Sequence, residues 1–512
     1  MVLEKVGRLE AVPMRHTFTK EERAVMPEEA AFADELAETL GAAEDAADDE
    51  VERVGKVEGV VDVGDTGEAA GDESDGGAAE TEAVASRSRA AARARQPYGD
   101  PLYGTLPIAR WAEALLALEP FARLSGVSLS DAPGALLLRR PFPSRRAHSV
   151  GVYALARQAR PRDRALQAAA LAHDLGHGPF SHLTEPLMIE RLGMDHEQRG
   201  AALLRQTLAG LTGASARLLA WLDVDEVAAL ILGDGPDGRG KLLNGLLDYD
   251  NLDNVARFLQ AAELGVPSYD PRTLARELRL APPSTDAASG ETLAPYVALP
   301  TDAAAQAQAW LADRRRVYRF LGESARNLAI RGMLRKAVDL ATRAGLIGPG
   351  FFDATDAQAL GLLRSGYAAG SAPLAEAVIN DHLYVPAWEA TAPESADAIT
   401  ELFARWDTRL AIEDRLATEA ALLPHEVVLS FTVERGERAL PPLIVAERGR
   451  AEPVVSEPLG SDQSVAASEP ERRITLFVTR TVGRDYMRRA RMAAERALGG
   501  LGAIPRVGSD LH

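Results

Sequence analysis

In LQAAALAHDLGH, from Leu166 to His177, one stripe collects Leu166, Ala170, His173 and His177. Their spacing of three and four is the period of one helix face. Gly176, Gly178 and Pro179 then break the pattern, so the chain is expected to leave the helix for a short loop bearing His182. A helix is predicted over 108–125 from Ile108, Trp111, Leu115 and Leu118, and one or two more over 148–174. Further helical patterns cover 183–192, 196–208, 212–220, 224–232 and 240–262. In the last of these Leu252, Val255, Phe258 and Leu259 face inward and Gly265 closes the helix. A helix-rich section follows over 302–396. Near His425 the period changes: EVVLSFTV and RITLFVTR read as strands, DYMRRARMAAERAL as a final helix.

Upstream of Pro97 the pattern thins. An amphipathic helix is expected around Pro27 to Leu40. From Gly41 onward the chain is Gly, Ala, Asp and Glu, ending in the basic run Arg87, Arg89, Arg93 and Arg95. Such a stretch cannot bury enough side chain to offset its ordering entropy and reads as a disordered acidic linker. The expected fold is mainly α. A short helical segment (1–40) and the linker (41–96) precede a helical domain (97–345), a helical extension (346–424) and a small α+β lobe (425–512).

Composition sharpens this picture. A chain of 512 residues allows two or three domains. With 46% hydrophobic but only 5% aromatic residues, helices should pack closely through small side chains. A net charge of -18 argues against a dedicated nucleic-acid binder, although much of the acidity is local. With no cysteine there are no disulfides, thiolate nucleophiles or Cys-based metal sites. The first residues are charged where a signal peptide is apolar, and no run reaches the roughly 18 apolar residues of a membrane span. A cytoplasmic protein without membrane partners is expected.

Five of the nine histidines, His148, His173, His177, His182 and His196, fall between residues 148 and 196. Neutral imidazoles bind metals and move protons near pH 7, so with Asp174 this density points to metal chemistry, acid–base chemistry or both. Neighbours on a helix point about 100° apart, so His173 and Asp174 can share an ion only over the seam between them. There is no GxxxxGK[ST] loop or GxGxxG fingerprint, GDGPDGRG reads as a surface turn, and His196-Glu197 does not continue into HExxH.

RRAHSVGVYALA, AHDLGHGPFSH and DHEQRG resemble successive motifs of the HD-domain phosphohydrolases. They look most like the deoxynucleoside triphosphate triphosphohydrolase branch, which includes the SAM-and-HD-domain proteins. DPLYG at 100–104, FARL at 121–124 and LLDYDNLDNVAR at 246–257 join the match. It covers about 97–280, and extends toward 345 through ADRRRVYRF. The resemblance implies an HD-domain helical core with a divalent metal (Mn, Fe, Ni, Zn or Mg) held by His148, His173, Asp174 and Asp250. Asp248 and Asp253 lie one register slip away. It implies active-site roles for His177, His182 and His196, with Glu185 where the family carries an aspartate, and nucleotide contact by Arg145. In that branch, attack at the α-phosphorus yields a nucleoside and triphosphate.

The chain departs from the branch where substrate is chosen. Asn251 replaces a phosphate-gripping lysine, Asn254 a sugar-side tyrosine and Leu129 a sugar-contacting glutamine. Losing the lysine forgoes a charge-assisted contact worth about 1.5–3 kcal/mol unless another base supplies it. Arg123, Arg145, Arg257 and the triple Arg314, Arg315 and Arg316 are candidates. The expected function is metal-dependent hydrolysis of nucleotides, with deoxynucleoside triphosphate the leading substrate. The alternatives are a phosphomonoesterase, and a nucleic-acid-binding or scaffold protein with a vestigial site, suggested by the basic run at 87–95 and by Arg488, Arg489 and Arg491. Homo-oligomerisation is left open.

Overall fold

The computed structural model describes residues 98–506 apart from 236, 246, 282–283, 286–291, 294–295, 394–398, 400–401, 403–404, 435–443 and 447–470. The expected helix at 27–40 and linker at 41–96 lie outside the described residues. The protein is mainly α, with a small β-rich lobe toward the C-terminus. The helices that build the site are α1 (Arg145–Ala159), α2 (Arg164–Ala172), α3 (Glu185–Leu192), α4 (His196–Ala209), α5 (Val224–Ile231) and α6 (Tyr249–Ala261). After them come α7 (Ala304–Glu323), α8 (Ala325–Arg343), α9 (Asp356–Ser365), α10 (Trp406–Ala420) and α11 (Arg484–Gly499). Among the described residues no helix is long and apolar enough to cross a membrane.

Polar side chains set several helix starts. Ser144 accepts from Ala147 N at the start of α1, and Asp163 from Leu166 N at the start of α2. Asp195 and Gln198 form a reciprocal capping box on α4. α2 is buried on every side: Ala168, Ala169, Ala170, Leu171 and Ala172 are all within 1% of full burial. Its small side chains let α1 and α5 approach, the close packing expected from a chain so poor in aromatic residues.

Three expectations are corrected. The helix at 108–125 is two short helices, Arg110–Leu116 and Glu119–Arg123, because Pro120 lacks an N–H and cannot continue a helix from the preceding turn. The pattern at 240–262 holds only a short 3₁₀ turn at Arg239–Leu242 and then α6, which begins where Asp248 caps Asn251 N at 2.7 Å. The section 302–396 ends in a strand rather than a helix: β1 (Val385–Pro393) buries Trp388, Ala390 and Ala392 at the strand period. β1 joins β2 (Val427–Glu434), β3 (Glu471–Val478) and β4 (Ile504–Pro505) in an antiparallel sheet of order β4-β1-β3-β2. The two strands read from EVVLSFTV and RITLFVTR thus pair side by side, with Ile474 opposite Phe431. α10 and α11 pack on this sheet, and α8 lies between it and the helical core.

One close crossing fixes the core behind the site. A Cβ on Gly151 of α1 would stand 2.0 Å from Asp253 Oδ1 and 2.4 Å from Arg257 Nη2, both on α6. Gly151→Ala should therefore lower stability by about 1–3 kcal/mol, the usual cost of overpacking, read as a lower urea midpoint. A midpoint equal to wild type would show that the two helices can part without penalty.

Candidate metal centre

His148 lies one turn into α1, while His173 and Asp174 sit where α2 runs out. The chain then tightens through Leu175 N→Ala172 O and His177 N→Asp174 O, each 3.0 Å. His177 thus occupies a turn and does not extend the helical stripe. Gly176 makes this turn possible: a Cβ there would stand 1.9 Å from His196 O and 2.5 Å from Gly200 N. The bare Cα lets the turn rest on the start of α4.

Asp174 is the hub. Arg145 Nη1 donates to its two oxygens at 3.1 and 3.0 Å. His148, His173 and His177 place Nε2 at 3.8, 3.5 and 3.2 Å from it. Asp250, in the first turn of α6, brings Oδ1 to 2.8 Å from His148 Nε2 and 3.8 Å from His173 Nε2. The four expected ligands, His148, His173, Asp174 and Asp250, thus converge. The ligand atoms of His148, His173 and Asp174 all lie within 4.8 Å of one another.

These residues fit a divalent ion. His173 Nδ1 donates to Ala170 O at 2.9 Å, which leaves Nε2 as a lone-pair donor, and that buried atom has no hydrogen-bond partner among the described residues. His148 Nδ1 lies 2.7 Å from Asp253 Oδ2, a carboxylate behind an imidazole that fixes which nitrogen faces the site. Ligand atoms about 2.0–2.2 Å from one ion are separated by distances of the order seen here. Burial opposes charge on His148, but its bonds to Asp250 and Asp253 outweigh this and carry its pKa up to about 9, so a metal must displace a proton. The nitrogen and oxygen donors accept Mn, Fe, Ni, Zn or Mg alike.

A second cluster adjoins the first. His177 stacks on His196 with ring centroids 4.0 Å apart, and His182 meets both edge-on at 4.7 and 5.1 Å. Glu185 holds two of these rings, accepting from His182 Nδ1 at 2.7 Å and pairing with His196 Nδ1. The longer side chain at 185 therefore reaches both histidines. Burial would raise the Glu185 carboxyl, but its two imidazole partners hold it far below the usual range. Burial lowers His196, yet Glu185 outweighs it and raises the pKa. His177 is driven the other way by burial, with Arg145 and His196 adding to the effect. The two stacked rings are thus pushed in opposite directions, His177 toward the neutral form and His196 toward the cationic form.

A cleft of about 110 Å³ opens beside both clusters, lined by His173, His196, Glu197, Asn244, Asp248, Asp250 and Asn251 among others. Ligand pockets usually hold roughly 300–1,000 Å³, so this half-open space has room for no more than one end of such a ligand. Asn251 lies on its rim, with Nδ2 3.2 Å from both Asp248 oxygens. Asn254 is half-buried on α6 and outside the lining.

Two expected substrate contacts are corrected. Arg257 is 2% exposed and does not reach the cleft. It donates to Asp253 at 2.8 and 2.9 Å and to Asp100 at 2.9 Å, so it braces the carboxylate behind His148. Arg123 is buried as well, and donates to the carbonyls of Leu175 at 3.1 Å and His177 at 2.7 Å. Arg145 keeps contact with the site, but its guanidinium is taken up by Asp174 and by Ser181 Oγ at 3.0 Å.

The sequence reading left out Glu197, whose carboxyl burial raises, and Ser181, which links Arg145 to the carbonyl of Ser128 at 2.7 Å. Glu197 adjoins His196 in the quoted motif and could have been found there. Ser181 stands in AHDLGHGPFSH beside His182, but nothing in that string marks it as a partner of Arg145. It and Phe180 adopt φ of 51° and 61°, a left-handed conformation that costs side-chain-bearing residues about 1–3 kcal/mol each.

Residues 145–263 match the family model of the HD domain. No curated protein matches the chain. The matched span begins at Arg145 and contains every residue of both clusters. The chain therefore carries an HD-domain metal-binding module, of a kind with the HD phosphohydrolase superfamily. It is a metal-dependent phosphohydrolase whose cofactor is a divalent ion.

Glu185→Gln provides a pH test of the second cluster. The carboxylate raises the His196 pKa, so its removal lowers that pKa, and the protonated ring is lost at lower pH. The alkaline limb of the rate–pH profile should shift toward acid. An unmoved limb would show that His196 does not set it.

Proposed function

We propose that this protein hydrolyses nucleotides through a metal held by His148, His173, Asp174 and Asp250, with deoxynucleoside triphosphate, cleaved to deoxynucleoside and triphosphate, as the leading substrate. The observation that carries this reading is the cluster of His148, His173 and Asp174, with Asp250 2.8 Å from His148, set against three imidazoles and beside a small cleft that Asp250 helps to line. A bound divalent ion polarises a phosphoryl oxygen and lowers the pKa of water. His177, neutral and buried, orients a phosphate oxygen. His196 or His182, held by Glu185, carries the proton for the leaving oxygen. Asn251 and Asn254 stand where the triphosphohydrolases carry the lysine and the tyrosine.

The small cleft and the missing lysine favour a second reading, a phosphomonoesterase acting on a nucleoside monophosphate or a similar small ester. The nucleic-acid reading has less support. On α11, Arg488 pairs with Asp485 at 3.3 Å and Arg491 with Glu495 at 3.0 Å, which neutralises part of the basic face. Metal-replete protein incubated with a panel of nucleotides separates the readings by product. Nucleoside plus triphosphate supports the first and orthophosphate alone the second. No turnover combined with tight oligonucleotide binding would overturn both.

A further inference from the structure

The turn that carries the two clusters is held from behind by residues outside the matched module, and we propose that Asp356 is a positioning residue for the metal centre. This inference rests on the reading of His148, His173, Asp174 and Asp250 as metal ligands. Three ties join the segment from Asp353 to Asp356 to the turn. Arg199 donates to Gly176 O at 2.8 Å and ion-pairs with Asp353. Arg123 donates to His177 O at 2.7 Å and to Ala354 O at 3.3 Å. Asp356 makes the third tie without an intermediary: Oδ1 accepts from Phe180 N at 2.7 Å and Oδ2 from Ser128 N at 3.0 Å.

That third tie leads to the ligands. Phe180 and Ser181 are the two left-handed residues of the turn. Ser181 Oγ donates to Ser128 O and accepts from Arg145 Nε, and Arg145 holds both oxygens of Asp174. By gripping residues 128 and 180 at once, one carboxylate fixes both ends of the bracket around Ser181. Without it, Phe180 and Ser181 are free to relax toward ordinary backbone angles and Arg145 loses its second anchor.

A plain capping role does not account for this side chain. Thr355 already caps α9, and with Gln358 it forms a capping box. Asp356 instead turns inward, is fully buried, and has its carboxyl pushed up to about 7 by that burial, against the pull of Phe180 N, Ser128 N, Arg123 and Arg145. An acid kept where ionisation is disfavoured, with both oxygens receiving N–H groups, points to a specific task. Its position in the 346–424 extension explains why the module alone does not reveal it.

The test compares Asp356→Asn with Thr355→Ala in the full chain, stripped of metal and titrated with Mn²⁺ by calorimetry, with thermal unfolding in parallel. The amide keeps the volume but has one acceptor oxygen, so one of the two N–H groups loses its partner. Asp356→Asn should weaken Mn²⁺ binding about tenfold or more, the scale of a lost outer contact to a metal ligand. Thr355→Ala should lower the melting temperature while Mn²⁺ affinity stays within about twofold of wild type. Mn²⁺ affinity of Asp356→Asn within about twofold of wild type would overturn the proposal, as would an equal weakening by Thr355→Ala. A wild-type chain that takes up no Mn²⁺ would instead overturn the metal-site reading, and this inference with it.

Discussion

His173→Ala is expected to strip the protein of bound metal and to lower turnover by about 10³-fold or more, because several kcal/mol of charge stabilisation go with the ion. The substitution is clean. His173 makes one hydrogen bond, to Ala170 O, and its Nε2 has no hydrogen-bond partner among the described residues. Little of the fold depends on that ring, so the unfolding midpoint should change far less than the metal content. His177→Ala provides the contrast, since its expected effect is a turnover loss of about 10²–10⁴-fold with metal nearly intact by elemental analysis. If His177→Ala also empties the site, the ring is a ligand and the division between the two clusters is wrong.

Arg257→Met is expected to give the largest loss of stability, about 3–5 kcal/mol at pH 7, the range found when one partner of a buried ion pair is removed. Asp253 and Asp100 have side chains with no exposure, and Arg257 bonds to both. Asp100 keeps the N–H groups of Leu102 and Tyr103, whereas Asp253 is left with His148 and the nearby Tyr103 hydroxyl. The pH dependence has a definite sign. In the wild type, burial would raise Asp253, but Arg257 and His148 hold its pKa at about 2. Its contribution is therefore complete above about pH 4 and is lost as pH falls toward 2. Without the guanidinium, burial lifts that pKa, and the variant loses stability as pH rises through the carboxylate range. The deficit should be largest at neutral pH and shrink toward pH 3 in urea titrations. A deficit below about 1 kcal/mol at pH 7 would mean that water or another group reaches the two acids.

Much of the site was legible because its ligands come from short segments with strong local signals. The histidine spacing, the Gly-Pro break and the Asp-rich start of α6 each announce themselves within a dozen residues. Burial was not legible. Arg123 and Arg257 look like substrate cations in sequence, and only packing reveals that their charges are spent on carbonyls and acids of the core. The i,i+4 spacing of Asp253 and Arg257 was the available clue. Asp356 gave none, because its partners Ser128 and Phe180 lie far away in the chain. In the fold, the strand at Val385–Pro393 was hidden by its alanines, which suit a helix as readily as a strand, until the neighbouring strands claimed it.

The helix α8 has a consequence for how the protein comes apart. It carries Lys336 and Asp339 into the boundary with the C-terminal lobe, where they meet Glu413 at 2.8 Å and Arg409 at 3.0 Å, all four nearly out of solvent. Neither half can withdraw without leaving bare charges in an apolar surface. Calorimetry should accordingly record one cooperative endotherm for the core and the lobe. A fragment ending near residue 380 should be insoluble even though it retains every residue of the HD module.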